Sequence, residues 1–135
     1  MSTPPKAPTG TIAWLDLTVP RAAPIRDFYA AVIGWRPEPL DMGDRVDFVM
    51  RSPATGDGVA GVCNAVGELA DLPAQWLAYI VVDDLDASMQ RCTEHGGTVI
   101  AGPRGDSGEG EGGGGRYCVI RDPAGAVLAL FQHLP

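Results

Sequence analysis

From Thr11 to Pro20 the chain alternates, with Ala13, Leu15, Leu17 and Val19 on one face of an extended strand and Ile12, Trp14, Asp16 and Thr18 on the other. The first set is wholly apolar and suits a core. The second mixes an indole, a carboxylate and a hydroxyl, which suits the wall of a pocket better than a second packing surface. The period then changes: over 21–34, Ile25, Phe28, Tyr29, Val32 and Ile33 recur at i, i+3, i+4, i+7 and i+8. This predicts an amphipathic helix with Pro24 in its first turn and Gly34 as its stop, laid over the Leu15/Leu17 face. Short strands are predicted at 35–40, 45–52 and 57–65, separated by turn formers at 41–44 and 53–56.

After a connector at 66–75 the pattern begins again. A strand at 76–83 leads into a helix of about 85–95 with Leu85, Met89 and Cys92 on one side, a glycine stop at Gly96 and Gly97, and a strand at 98–102. Strands at 116–122 and 125–132 follow, joined by the turn DPAG. Setting Trp14 on Leu77 fixes an offset of 63 that also brings Val19 onto Val82 and Gly34 onto Gly97, and Gly58 falls on Gly125 at an offset of 67. One register that aligns both strand and helix end marks an internal repeat of a βαβββ unit. The expected organisation is a lead at 1–10, expected to be flexible, and one α+β domain at 11–135, made of a module at about 11–65, the linker 66–75 and a second module at about 76–133.

Composition narrows the function classes. A formal net charge of −7 with no basic cluster argues against nucleic acid and anionic membrane as partners. The N-terminal stretch MSTPPKAPTG has one lysine and no apolar run, so neither a signal peptide nor an anchor is expected there. Cys63, Cys92 and Cys118 form no CxxC pair, which favours a reduced, cytoplasmic protein with inert buried thiols. The glycine-dense stretch 105–115 is followed by neither a lysine nor a helix, so it reads as a mobile hairpin tip and not as a phosphate cradle.

The segments DFYAAVIGW (27–35), YIVVDDLDA (79–87) with Gly96 and Gly97, and DPAGAVLALF (122–131) resemble the vicinal oxygen chelate superfamily, the glyoxalase/bleomycin resistance/dioxygenase group, over about residues 11–133. The resemblance implies two tandem βαβββ modules forming a curled mixed sheet around a cleft, with helices on the convex side. Enzymes of that superfamily generally place a metal with His, Gln or Glu from the first and last strand of each module. Carried over, those positions fall on Trp14, Val62, Leu77 and Ala129, none of which can ligate a metal. His95 and His133, the two histidines, are expected at a helix end and near the C-terminus, away from the cleft.

No metal or other cofactor is therefore expected. The expected function is binding of a small apolar or aromatic molecule in a cleft lined by Trp14, Asp16, Val62, Leu77, Tyr79, Val127, Ala129 and Phe131, the role that bleomycin-resistance members imply. The alternative is a glyoxalase-like lyase or isomerase, or a dioxygenase-like enzyme, with displaced metal ligands or with Asp16 as general base. Asp16 has a structural reading too, as the partner of Arg45, Arg51, Arg116 or Arg121. Trp35 and Trp76 are expected to pack structurally, and short strands with open edges suggest a homodimer.

Overall fold

The computed structural model describes residues 7–106 and 114–134. Most of the lead and most of the glycine-dense stretch lie outside the described residues. The elements are β1 (Ile12–Val19), α1 (Ala22–Ile33), β2 (Arg36–Asp41), β3 (Val46–Arg51), β4 (Gly58–Asn64), a 3₁₀ turn (Gly67–Leu69), β5 (Gln75–Val81), α2 (Leu85–Glu94), β6 (Thr98–Asp106), β7 (Gly115–Arg121) and β8 (Val127–His133). This is the α+β architecture of two βαβββ modules that the repeat predicts. Contacts divide the chain into two compact units, Leu15–Leu77 and Met1–Trp14 with Ala78–Pro135, so that β1 is shared between them.

In the first unit the strands run β2-β3-β4-β1, antiparallel except for the parallel pair of β4 with β1. In the second they run β5-β8-β7-β6, again with one parallel pair, β5 with β8. The helix of each module supplies the crossover that a parallel pair demands.

Each helix covers its own apolar cluster. Beneath α1 lie Leu17, Val19, Ala22, Phe48, Met50 and Val62, with Ile25, Tyr29, Trp35 and Trp76 packed around them. Tyr29 is ringed by aromatics: its ring centroid lies 5.3 Å from that of Trp76 and 6.0 Å from that of Trp35, and its hydroxyl accepts the Trp76 Nε1–H at 3.3 Å. The structural role expected of both tryptophans is what the packing has. The cluster reaches Leu17 and Val19 but not Leu15, which is 40% exposed, nor Ala13; the apolar face of β1 is covered only at its C-terminal half. Beneath α2 the cluster is Leu85, Cys118 and Leu130, with Val82, Met89, Val99, Ile120 and Leu128.

Both helices are closed at the N-terminus by an amide side chain from the last strand of their module. The residue before α1, Arg21, makes no side-chain cap; instead the N–H of the wholly buried Ala22 donates to Asn64 Oδ1 of β4 at 2.9 Å. At α2 the N–H of Leu85, also wholly buried, donates to Gln132 Oε1 of β8 at 2.7 Å, and Asp84 adds a local cap to Ala87 N at 3.1 Å. Backbone donors of a helix's first turn have no intrahelical acceptor, so burial obliges a partner.

Candidate functional site

Strand register fixes which residues of the two modules are equivalent. In the parallel pair of the first module Asp16 faces Gly61, Leu17 faces Val62 and Thr18 faces Cys63; in the second, Tyr79 faces Ala129, Ile80 faces Leu130 and Val81 faces Phe131. The first-strand offset is 63 as expected, but the last-strand offset is 68 and not 67. Gly58 opens β4, whereas Gly125 sits in the turn before β8 with φ +92, so the two glycines that suggested 67 are not counterparts. A slip of one residue exchanges the faces of a strand. Val62, expected in the cleft, is therefore corrected to a core residue sealed beneath α1, and the counterpart of Ala129 is Gly61.

The first module thus carries Asp16, Gly61 and Cys63 on the face away from α1. A Cβ on Gly61 would overlap the Asp16 carboxylate, so the missing side chain is what lets Asp16 lie across the neighbouring strand. Burial pushes the Cys63 thiol well above the ordinary range, the Asp16 and Asp47 carboxylates add to the shift, and Arg45 opposes it. That thiol is a poor nucleophile and a probe of Asp16's charge. Of the four arginines offered as partners of Asp16, three pair with other carboxylates: Arg51 with Glu38 at 2.7 Å, Arg116 with Asp86 at 3.1 Å, and Arg45 with Asp44 at 3.0 Å and Asp47 at 3.6 Å. Two residues beyond Asp16, Thr18 joins the buried Leu77 and the connector residues Leu69, Leu72, Pro73 and Gln75 around a cavity of about 10 Å³. The connector, read from sequence only as a link, thus covers part of this face.

The second module presents an aromatic face away from α2. Tyr79 and Tyr117 have ring centroids 5.9 Å apart, Tyr117 is paired with Phe131 across the β7–β8 ladder, and Val119 pairs with the buried Ala129 as a floor. The Phe131 ring occupies the space that a side chain at Gly115 would need. Val127, half-buried, continues the row. Tyr117 was missed from sequence, where it reads as one residue of an ordinary strand; its place two residues from Val119 on an alternating pattern is the signal that finds it. His133, expected near the C-terminus and away from the cleft, stands two residues beyond Phe131, their rings edge to face at 5.0 Å. It borders a hollow of about 380 Å³ with Val81, Asp83 and Thr9, whose hydroxyl donates to Asp83. His95, in contrast, is the C-terminal cap of α2, as expected. Trp14, half-buried, stands on the Asp16 side of β1 by alternation.

The Glyoxalase-like domain family matches residues 13–131. The chain belongs to that family. Among curated proteins, this glyoxalase-like chain is similar to "Putative glyoxylase CFP32" of Mycobacterium bovis, 29% identical over 127 residues, 94% of this chain and 46% of that protein. It is likewise similar to the anthracycline biosynthesis protein DnrV of Streptomyces peucetius, 30% identical and covering 91% of this chain and 47% of that protein. The chain spans about half the length of the curated relatives it matches. Among solved structures, methylmalonyl-CoA epimerase from Mycobacterium tuberculosis shares the fold, with a TM-score of 0.55 at 16% identity over 90% of this chain and 87% of that one.

For a glyoxalase-like domain the question is whether the residues present fit a metal. They do not. The metal-bearing positions implied by the resemblance hold Trp14, Leu77, Ala129 and, after the register correction, Gly61 in place of Val62. Among the described residues no three His, Cys, Asp or Glu side chains converge as a set that would hold an ion. Divalent ions in such sites need oxygen or imidazole donors, and a protonated thiol is not one. Among the described residues no helix is long and apolar enough to cross a membrane.

Proposed function

We propose that this glyoxalase-like domain binds a small planar, largely apolar molecule without a metal, against the face that carries Tyr79, Tyr117 and Phe131. The observation that supports it best is the composition of that face: three aromatic rings over an aliphatic floor of Val119 and Ala129, with phenol hydroxyls as the polar groups. Apolar lining supplies affinity and a few placed polar groups supply orientation. The name of one relative, an anthracycline biosynthesis protein, agrees with a flat aromatic ligand. Asp16 is the polar group of the equivalent position in the first module, set opposite Gly61 as Tyr79 is set opposite Ala129.

The test is titration of the protein with a panel of planar aromatic compounds, read through quenching of Trp14 emission, with and without EDTA. Saturable quenching that EDTA leaves unchanged and that Phe131→Ala weakens supports the reading. Loss of binding in EDTA, or turnover of a hemithioacetal or catechol on adding Zn²⁺, Ni²⁺ or Fe²⁺, overturns it. A second reading, metal-free chemistry with Asp16 as base, has in its favour the Asp16 carboxylate on the face of β1 away from α1. Asp16→Asn separates the two: loss of turnover with binding intact makes Asp16 a base, and loss of binding alone makes it an orienting contact.

A further inference from the structure

The stretch leading into β1 is tied to the end of β5. The Gly10 N–H donates to Val81 O at 2.8 Å, the Val81 N–H donates to Thr11 O at 2.9 Å, and the Thr9 hydroxyl donates to the Asp83 carboxylate. Between this stretch and the ends of β5 and β8 lies the hollow of about 380 Å³, and its described lining belongs wholly to the unit Met1–Trp14 with Ala78–Pro135. The parallel ladder runs on past Val81, since the Val82 N–H donates to Phe131 O at 2.8 Å. Alternation then puts Asp83 on the face of Tyr79 and Val81, and His133 on the face of Ala129 and Phe131. The aromatic face of the second module therefore ends in a carboxylate and an imidazole, both bordering the hollow.

We propose that this hollow binds a small organic ammonium ion, with its amine on Asp83 and His133 and its hydrocarbon part against Pro8, Val81 and Leu134. Three observations select that chemistry. Asp83 accepts the Thr9 hydroxyl, and no lysine or arginine stands among the described residues that line the hollow, so the carboxylate keeps acceptor positions and an uncompensated charge for a cation and repels an anion. His133 Nε2 is buried and has no hydrogen-bond partner among the described residues. Buried polar atoms are normally paired, and an ammonium N–H is a donor that an imidazole nitrogen accepts once the ring turns about its Cβ–Cγ bond toward the entering amine. The remaining wall is apolar, with Val81 buried and Val82 half-buried beside Pro8 and Leu134, and a few polar groups on an apolar wall of this volume are what a small-molecule site needs.

The apolar wall decides between an organic and an inorganic cation. Asp83 is exposed, and an exposed ion pair by itself contributes little, so a hydrated metal ion gains almost nothing beside it. An alkylammonium removes hydrocarbon surface from water as its charge settles on the carboxylate, and both gains come from the same pose. The net charge of −7 raises the local concentration of any cation. This site reads charge where the aromatic face reads flatness, so it stands or falls independently of the planar ligand proposed above.

Titration of the full chain with cyclohexylamine, which is not planar and so does not probe the aromatic face, tests this by NMR of the backbone amides and the imidazole. The expected result is saturable shifts at Gly10, Val82, Asp83 and His133, with a Kd at least about tenfold lower than that of cyclohexanol, a neutral molecule of the same shape. Asp83→Asn, which keeps an acceptor for Thr9, should raise the Kd at least about tenfold and His133→Phe at least about threefold, whereas Glu94→Gln, an equal loss of charge at the C-terminal end of α2, should leave it within about twofold. The comparison of amine with alcohol on the unmutated protein carries the test even where a variant fails to fold. No saturable shift at these residues, cyclohexanol or cyclohexanecarboxylate binding as tightly as the amine, displacement of the amine by an equal concentration of Mg²⁺, or a folded Asp83→Asn or His133→Phe protein that binds it unchanged overturns the proposal.

Discussion

Asn64→Ala is the substitution that tests the construction of this fold most sharply. The side chain accepts the Ala22 N–H at 2.9 Å and donates through Nδ2 to Val46 O at 2.8 Å and to Asp47 Oδ1 at 2.9 Å. Removing it leaves the first N–H of α1 buried without a partner, at a helix whose preceding residue, Arg21, provides no cap; that loss costs about 1–2 kcal/mol. The bond to the buried Asp47 carboxylate contributes about another 1–1.5 kcal/mol, and the one to the exposed Val46 less. Asp47 keeps the Asn64 backbone N–H at 3.0 Å, which limits the damage. The expected total is about 3 kcal/mol, or roughly 10 °C in melting temperature for a chain of this size. Urea and thermal unfolding measure it, with Gln132→Ala as the internal comparison. That variant removes the same kind of bond from Leu85 but leaves the Asp84 cap in place, so it should cost about half as much. A loss below about 1 kcal/mol for Asn64→Ala, or equal losses for the two variants, refutes the view that the last strand's amide closes each helix.

The remaining predictions concern the site and its surroundings. Gly61→Ala should displace the Asp16 carboxylate while keeping the melting temperature within a few degrees, since the clash is with a side chain and alanine recovers ~0.5–1 kcal/mol of backbone entropy; a crystal structure of the variant with Asp16 unmoved would contradict it. Asp16→Asn should speed labelling of Cys63 by a thiol reagent at mildly alkaline pH, because removing a nearby negative charge lowers the thiol's pKa, and an unchanged rate would show that the two groups do not sense each other. Burial pushes the Cys118 thiol up to about 11, above its unfolded value. Its contribution is therefore intact below about pH 9 and falls away as the pH rises toward about 11, where about 2–3 kcal/mol should be gone; the stability gap between the unmutated protein and Cys118→Ala should narrow by that amount over the same range in urea titrations.

Much of the architecture is legible along the chain because it rests on local periodicity. The alternation of β1, the 3.6-residue stripe of α1 and the glycine near the end of each helix are short-range patterns, and the repeat is their recurrence, although the left-handed glycine after α2 is Gly96 and not the Gly97 that an offset of 63 selects; the elements fall within a residue or two of where they are predicted, save that β6 continues to Asp106. The assignment of Trp35 and Trp76 to packing and of His95 to a helix end follows from the same patterns. What the sequence does not determine is register between strands far apart in the chain. The offset of the fourth strand depends on which residue of β4 meets Asp16, and that pairing is set by how α1 packs over Leu17 and Val62 together. A one-residue slip moved Val62 from cleft to core and put Gly61 in its place. The amide caps of Asn64 and Gln132, the approach of Tyr117 to Tyr79 and the cover that Leu69 and Leu72 give to Thr18 are likewise contacts over long separations, decided only when buried polar groups and apolar faces must all be satisfied at once.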